Sequence, residues 1–469
     1  MVRGINMGAL VLAAGKGTRM NSAKPKVLQE VLGEPILAYV YDALEPIFAD
    51  KIWTIVGHQS ELVAKAFPEQ NERFLLQEQQ LGTGHALQVA WPHLVRAGLT
   101  HVLVVSGDIP LINTELLDTF ITEMERTNAP LGFISMFLPE SGSYGMVLRE
   151  NNSVIDIVEA KDYSPAKHGK DTGEINTGVY LLNIAELAPL LPLLSNQNKS
   201  GEFYITELIS LAVESGLEVT GAQTGDKNLL GVNTPAELIA AEETLRREIV
   251  HNWLKRGAPL HFADMLVIGP KVNLDLSAHI YGPCHLLGNT TVEAGAVVEN
   301  NCFIKDSIIG SGACVRAFSH LERAALGLNA IAGPYARLRP GARMEEGAKI
   351  GNFVEMKKAV LKQGAKVNHL SYIGDAEVGA GANIGAGTIT CNYDGVNKYR
   401  TEIGDGAFIG SNSALVAPVK IGNNALVAAG SVITKDVPDG SMAFGRAHQK
   451  NREKNNLTEA INPTGRCLS

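Results

Sequence analysis

Cysteine is scarce, at 5 of 469 residues, and none of the five (Cys284, Cys302, Cys314, Cys391, Cys467) lies in the first half. Their number is odd and their spacing matches no zinc pattern. That excludes a disulfide framework and a structural zinc site, and it points to a reducing, cytoplasmic setting. Long apolar runs are also missing. None approaches the ~18 residues of a membrane-crossing helix, so no membrane partner is expected. The apolar stretch 9–14 runs directly into Gly15-Lys16-Gly17 without a cleavage-like flank, so it reads as a buried strand and not a signal peptide. A basic excess is lacking too. Against 49 Asp and Glu there are 41 Lys and Arg, a net charge of −8. This disfavours nucleic acid as a partner while leaving room for a locally basic pocket that takes small anions.

Glycine is plentiful, at 48 residues, and concentrates in the second half. There every sixth residue is apolar: Leu274, Ile280, Leu286, Val292, Val298, Ile304, and later Ile403, Ile409, Leu415, Ile421, Val427, Ile433. Six fits neither a helix nor a single amphipathic strand, so it marks a structural repeat. Three six-residue strands make one triangular turn, with the apolar residue inward and small residues at the corners. The phase slips to five at 304–309, 356–361 and 373–378, and breaks at 391–402 (CNYDGVNKYRTE). A polar excursion from a regular solenoid is where function is expected.

The first half alternates short apolar runs (8–13, 52–56, 74–76, 102–105) with helical patterns (35–44, 59–66, 84–91). That predicts a Rossmann-like α/β domain with a mostly parallel sheet, its ligands beyond the carboxyl ends of the strands. The loops starting at Ala14 and Ser106 are thereby singled out. Between the halves, 235–255 reads as an amphipathic helix, with Thr234 as N-cap and Pro235 at its first position. The expected division is 1–234, a linker helix 235–256, and a β-helix with tail over 257–469.

Two motifs at those loop positions carry chemistry. Leu12-Ala13-Ala14-Gly15-Lys16-Gly17-Thr18-Arg19-Met20 follows a strand, with Lys26 further on. It is neither a P-loop nor GxGxxG, so it is either a phosphate cradle or a plain glycine-rich turn. Asp108, in Ser106-Gly107-Asp108, can hold Mg²⁺ or cap a turn.

The resemblance that decides between these readings is residue by residue. LAAGKGTRM with Pro25-Lys26 closely resembles the sugar-nucleotide pyrophosphorylase signature. So do Gln77 with 80–86 (QLGTGHA), Gly107-Asp108, Tyr144-Gly145, Val158-Glu159, Glu174-Ile175-Asn176-Thr177-Gly178 and Gly231-Val232-Asn233. In order and spacing they are similar to the uridylyltransferase half of a family of bifunctional enzymes that also acetylate glucosamine-1-phosphate. The resemblance implies that Leu12, Ala13, Ala14, Gly15, Gln77, Gly82 and Thr83 hold the uridine nucleotide of UTP or UDP-N-acetylglucosamine, with Ser106, Gly107 and Asp108 beside it. Lys16, Arg19 and Lys26 neutralise phosphates, Arg19 and Lys26 as catalytic residues. Gly145, Glu159 and Asn176 hold the sugar, and Asp108 and Asn233 hold Mg²⁺. Ser106 and Met146 depart from residues common in the family, which bears on sugar preference.

In the second half Arg339, Lys357, His369, Tyr372, Asn383, Asn392 and Tyr393 crowd one stretch of an otherwise small-residue repeat. Periodicity alone does not bring their side chains together, and a lone histidine such as His369 in a solenoid is more often structural. The stretch 337–393, with GNFVEMKKA and GAGTITCNYDG, strongly resembles the acetyltransferase half of the same family. It implies a left-handed hexapeptide-repeat β-helix, assembled as a homotrimer with sites between subunits. His369 is then the general base, suited by a reference pKa near 6.5 to take a proton from an amine. Arg339, Lys357, Tyr372 and Asn383 hold glucosamine-1-phosphate, while Ala386, Asn392, Tyr393, Ser411, Ala429 and Arg446 hold acetyl-CoA. Cys391 as an acyl carrier is the weaker reading, because no base is evident beside it.

Overall fold

The computed structural model describes residues 6–15, 17–20 and 22–451. Lys16 therefore lies outside the described residues. The chain divides into two compact units, Met1–Ile249 and Val250–Ser469.

The first unit is a twisted sheet with helices on both faces. Its strands are β1 (Met7–Ala13), β2 (Ile52–Val56), β3 (Phe74–Leu76), β4 (His101–Ser106), β5 (Leu131–Phe137), β6 (Met146–Glu150), β7 (Ser153–Val158), β8 (Glu174–Asn183) and β9 (Val219–Thr224). The main order is β9-β5-β8-β4-β1-β2-β3, with the β6–β7 hairpin off β8. Pairings along the main order are parallel except those of β8, which runs antiparallel to both β4 and β5, and the β6–β7 hairpin is antiparallel as well. Val11, Val105 and Leu103 point to one apolar layer and Leu10, Val104 and Val102 to the other, the two-residue alternation of a sheet buried on both faces.

Helices α1 (Ile36–Phe48) and α2 (Thr83–Arg96) run further than their patterns predict, continuing through Pro46 and Pro92. Each proline removes one helical hydrogen bond. Phe48 and Leu94, beyond them, are buried in the two core layers, and that burial holds the last turns in place. The helix Pro235–Lys255 forms as the amphipathic pattern predicts. Its start is a capping box: Glu237 N–H donates to Thr234 Oγ1 at 3.3 Å, and Thr234 N–H donates to Glu237 Oε2 at 2.9 Å.

The second unit consists of three parallel sheets of 11, 10 and 9 strands, stacked as in a left-handed β-helix. Each strand pairs with the third after it, for example Val298 with Val315 and Val315 with Ala332. The six-residue apolar positions Ile280, Leu286, Val292 and Val298 fill the interior at 0 % exposure for all four. The slips have one location. The steps 304–309, 321–326, 356–361 and 373–378 turn the same corner, where Asp306, Arg323, Lys358 and Asp375 adopt φ of 50°, 47°, 46° and 45°. The sequence reading missed the slip at 321–326. The break at 391–402 is a protrusion from the regular rungs. It leaves at Cys391, closes on itself through an antiparallel Tyr393–Lys398 bridge, and rejoins at Thr401.

Candidate active sites

In the first unit, the carboxyl ends of β1 and β4 lie side by side, pairing Leu12 with Ser106. A cavity of about 440 Å³ opens there, lined by Leu12, Ala13, Ala14, Gly15, Lys26, Gln77, Gly82, Thr83, Ser106 and Asp108. A second, of about 170 Å³, shares Leu12, Thr83, Ser106 and Asp108, and adds Tyr144, Gly145, Glu159, Asn176, Tyr180 and Asn233. Most of the predicted residues therefore line two adjoining hollows. Gly107 does not. It sits behind the wall, where a side chain would meet the Ala13 Cβ at 3.2 Å, and its N–H donates to the Leu12 carbonyl at 2.9 Å.

The charges converge at the boundary of the two hollows. Lys26 Nζ forms a short ion pair with Asp108 and donates to Asn233 Oδ1 at 3.0 Å, while Arg19 Nη2 donates to the same oxygen at 3.0 Å. Asp108 is anchored to the Asn233 loop, since its carbonyl accepts from Val232 N–H at 2.8 Å. Asn233 is anchored in turn by the capping box, its own N–H donating to Glu237 Oε2 at 2.6 Å. Two oxygens, one carboxylate and one amide, thus point at a common cation. That donor set fits Mg²⁺, a hard ion that takes one or two protein oxygens and leaves its other positions to waters and phosphates. Among the described residues no group of three or more His, Cys, Asp or Glu could hold a metal.

Gln77 is buried, and both its amide hydrogens are committed, to the Gly82 carbonyl at 3.1 Å and to His85 Nδ1 at 2.9 Å. Its carbonyl oxygen remains as an acceptor for a ring N–H. Gly82 has φ of 109°, and a side chain there would lie 2.4 Å from the Phe203 carbonyl, so only glycine fits the approach. Glu159 accepts from Thr206 Oγ1 at 3.0 Å, and burial raises its carboxyl above the usual range, Asp162 and Glu202 adding to the effect. Burial, with Glu237 and Asp108 nearby, pushes the Tyr144 phenol up to about 12. Asn176 sits where β8 bulges against β5, the register jumping between Asn176 and Tyr180.

Next to Asn176 on β8, Glu174 is held by Arg149 at 2.7 and 2.9 Å and by Ser135 Oγ at 2.7 Å. Burial alone would raise its carboxyl; these bonds outweigh that and hold it below the usual range. Sequence reasoning missed Tyr180, Thr206 and Glu237. An S/T-x-x-E pattern at Thr234–Glu237 was the available signal for the last.

In the second unit, Asn352 and His369 face each other on adjacent rungs in register, and His369 Nδ1 lies 2.8 Å from Asn352 Oδ1. An amide oxygen only accepts, so in the neutral ring Nδ1 carries the proton and Nε2 keeps its lone pair. Asn352 was part of a quoted motif, but no role was assigned to it from sequence. Around the next corner Tyr372 pairs in register with Glu355, and Glu355 Oε1 accepts from Arg339 Nη1 at 2.9 Å. Lys357 sits against Lys398 of the protrusion, which with Arg339 lowers its pKa. Asn383 lies one rung on, beside Lys366 rather than His369.

Ala386, Ser411 and Ala429 form a column at one corner. Asn412 N–H donates to the Ala386 carbonyl at 2.7 Å and Gly430 N–H to the Ser411 carbonyl at 2.8 Å. Asn392 is committed to Asp375 and ties down the protrusion, Tyr399 N–H donating to its carbonyl at 2.9 Å. Tyr393 is exposed on that protrusion, and Arg446 is exposed beyond the last rung.

Residues 9–136 match the MobA-like NTP transferase domain, and residues 400–435 match the bacterial transferase hexapeptide (six repeats). Fold and sites together define a two-part transferase, a nucleotidyltransferase domain followed by a hexapeptide-repeat domain. The bifunctional protein GlmU of Nitratidesulfovibrio vulgaris is 56% identical over 443 residues, 94% of this chain and 97% of that protein. That of Lawsonia intracellularis is 43% identical over 447 residues, 95% and 97% of the two chains. That of Acinetobacter baumannii is 42% identical over 449 residues, 94% and 96%. The chain belongs to the GlmU family. Among the described residues no helix is long and apolar enough to cross a membrane.

Proposed function

We propose that the chain makes UDP-N-acetylglucosamine in two reactions, acetylating glucosamine-1-phosphate in the second unit and then transferring UMP from UTP in the first. The observation that carries this reading is the presence of both constellations in one chain: Lys26 and Arg19 converging on Asp108 and Asn233, and His369 held by Asn352 through Nδ1.

In acetyl transfer, an ammonium cannot attack a thioester, so the amine must first lose its proton. That first proton goes to solvent, and His369 Nε2 takes a second from the amine as the nitrogen–carbon bond forms. The carbon–sulfur bond of the thioester breaks, and Nε2 passes its proton to the sulfur, so CoA leaves as the thiol. Arg339 and Lys357 hold the sugar phosphate, with Tyr372 and Asn383 beside the sugar. The small-residue column of Ala386, Ser411 and Ala429, with Asn392, Tyr393 and Arg446, takes acetyl-CoA. The family resemblance supports a homotrimer in which neighbouring β-helices complete this site.

In uridylyl transfer, an oxygen of N-acetylglucosamine-1-phosphate attacks the α-phosphorus of UTP, and pyrophosphate leaves. The nucleophile is already ionised, so the work is positioning and charge neutralisation. Lys26 and Arg19 neutralise phosphate oxygens. Gln77, Gly82 and Thr83, with Leu12–Gly15, seat the uridine. Gly145, Glu159 and Asn176 seat the sugar. Asp108 and Asn233 would hold Mg²⁺, which when bound supplies further neutralisation of phosphate charge. The product would feed peptidoglycan and lipopolysaccharide precursors in the cytoplasm.

Separate assays of His369→Ala and Asp108→Ala test this. The first should lose acetyl transfer by roughly 10²–10⁴-fold, the span of general-base catalysis, and retain uridylyl transfer. The second should do the reverse. Loss of both activities from either change would sink the two-site reading.

A further inference from the structure

Tyr180 is only 2 % exposed, yet it forms part of the wall of the smaller hollow in the first unit. Its hydrogen bonding is one-sided. Gly178 N–H donates to Asn176 Oδ1 at 3.1 Å, which settles how that amide is turned. Asn176 Nδ2 then donates to the Tyr180 hydroxyl oxygen at 2.6 Å. The phenol oxygen is thus used as an acceptor, and among the described residues no protein atom accepts the hydroxyl hydrogen. The nearby Glu159 carboxylate is engaged by Thr206 Oγ1. A buried donor left unpaired destabilises the fold, so such a donor on a cavity wall points to an acceptor on a ligand.

We propose that the Tyr180 hydroxyl is a specificity-determining donor for the acyl carbonyl of a 2-acylamino sugar phosphate. This rests on the uridylyl-transfer reading above. The hydroxyls of a sugar both donate and accept, and they suit Glu159, which accepts. An amide carbonyl only accepts, and so needs a donor. Leu12 and Ile205 on the same wall offer apolar surface for an acyl methyl. A free 2-ammonium group, which only donates, would leave the Tyr180 hydrogen unpaired. The wall therefore favours the acylated sugar over the free amine, the discrimination expected where a buried polar group goes unmatched.

The test is Tyr180→Phe in the full chain, which keeps the ring and removes the donor together with the acceptor of the Asn176 amide. Pyrophosphate release is followed with UTP and three acceptors: N-acetylglucosamine-1-phosphate, glucose-1-phosphate and glucosamine-1-phosphate. The variant should lose roughly tenfold in kcat/KM for the acylated sugar, mostly through KM. Its KM for UTP should be unchanged and its loss for glucose-1-phosphate and glucosamine-1-phosphate smaller, so the preference over these two narrows. An equal loss for all acceptors, or no loss for the acylated one, overturns the proposal. The unaltered chain offers a second arm that needs no variant. The 2-thioacetamido analogue, whose sulfur accepts poorly, should show a comparable loss, and undiminished use of it overturns the proposal. An unaltered chain that turns over none of these acceptors would instead overturn the uridylyl-transfer reading itself.

Discussion

The two sites are assembled over very different sequence distances. In the first unit Lys26 meets Asp108 across 82 residues and Asn233 across 207, and Arg19 meets Asn233 across 214. In the second, His369 meets Asn352 across 17, one rung of the solenoid. The first site is made by the packing of a whole sheet with its loops. The second is made by register, since any two residues one rung apart on one face become neighbours. Loop positions at the ends of a sheet tolerate small shifts, because each long side chain can readjust. A register site has no such slack, for a displaced rung shifts His369 relative to Asn352 on the rung beside it.

That contrast is most sharply broken at Gly351. A side chain there would lie 1.9 Å from the Asn368 carbonyl, between the rungs that carry Asn352 and His369. Gly351→Ala should lower acetyl transfer by about 10²-fold, the effect of roughly 1 Å of misplacement, with uridylyl transfer unaffected. Parallel assays of the two half-reactions check it. Retained acetyl transfer would mean that register does not set the second site.

A smaller effect separates the sites by pH. Burial raises the Glu159 carboxyl above its ordinary 4.5. Below that raised value it is protonated and no longer a full acceptor for the sugar, so kcat/KM for the sugar phosphate in uridylyl transfer should fall on an acid limb lying above 4.5. Lys357 is shifted the other way, below 10.5, by Lys398 and Arg339. It loses its charge as pH rises through that lowered value, so KM for glucosamine-1-phosphate should rise on an alkaline limb beginning below 10.5. Glu159→Gln should flatten the first limb, and Lys398→Met should move the second upward. pH profiles of each half-reaction decide both, and limbs that ignore these changes would assign the titrations elsewhere.

The smallest effect concerns what anchors the first site. Removing the capping box with Glu237→Ala should cost about 1 kcal/mol, the usual worth of a helix cap. It also frees the Asn233 N–H. Chemical denaturation should show the loss in the first unit's transition with the second unit's unchanged. A shift in neither transition would mean that Asn233 is held by other contacts.

Much of this was legible in the residues. The six-residue period predicted the solenoid, because interior positions of stacked strands recur at a fixed spacing. The strand and helix patterns of the first half predicted its layers and the two loops at the ends of β1 and β4. The antiparallel β8, its bulge and the β6–β7 hairpin were not read, since strand direction and bulges depend on partners rather than on local pattern. For the same reason Tyr180 passed for an ordinary core aromatic. Asn352 was quoted within a motif without a role, because five-residue corners had to be placed before its rung could be matched to that of His369.

By itself, then, the sequence determined the two architectures, the charged residues of each site, and the chemistry those residue types can perform. Such properties follow from periodicity and side-chain identity, which are local. Only the tertiary structure decided which atoms meet: Lys26 between Asp108 and Asn233, Glu237 behind Asn233, the protonated nitrogen of His369, and the unpaired hydrogen of Tyr180. Those depend on register and long-range packing, where a shift of one residue turns a side chain to the opposite face, and no local pattern records that.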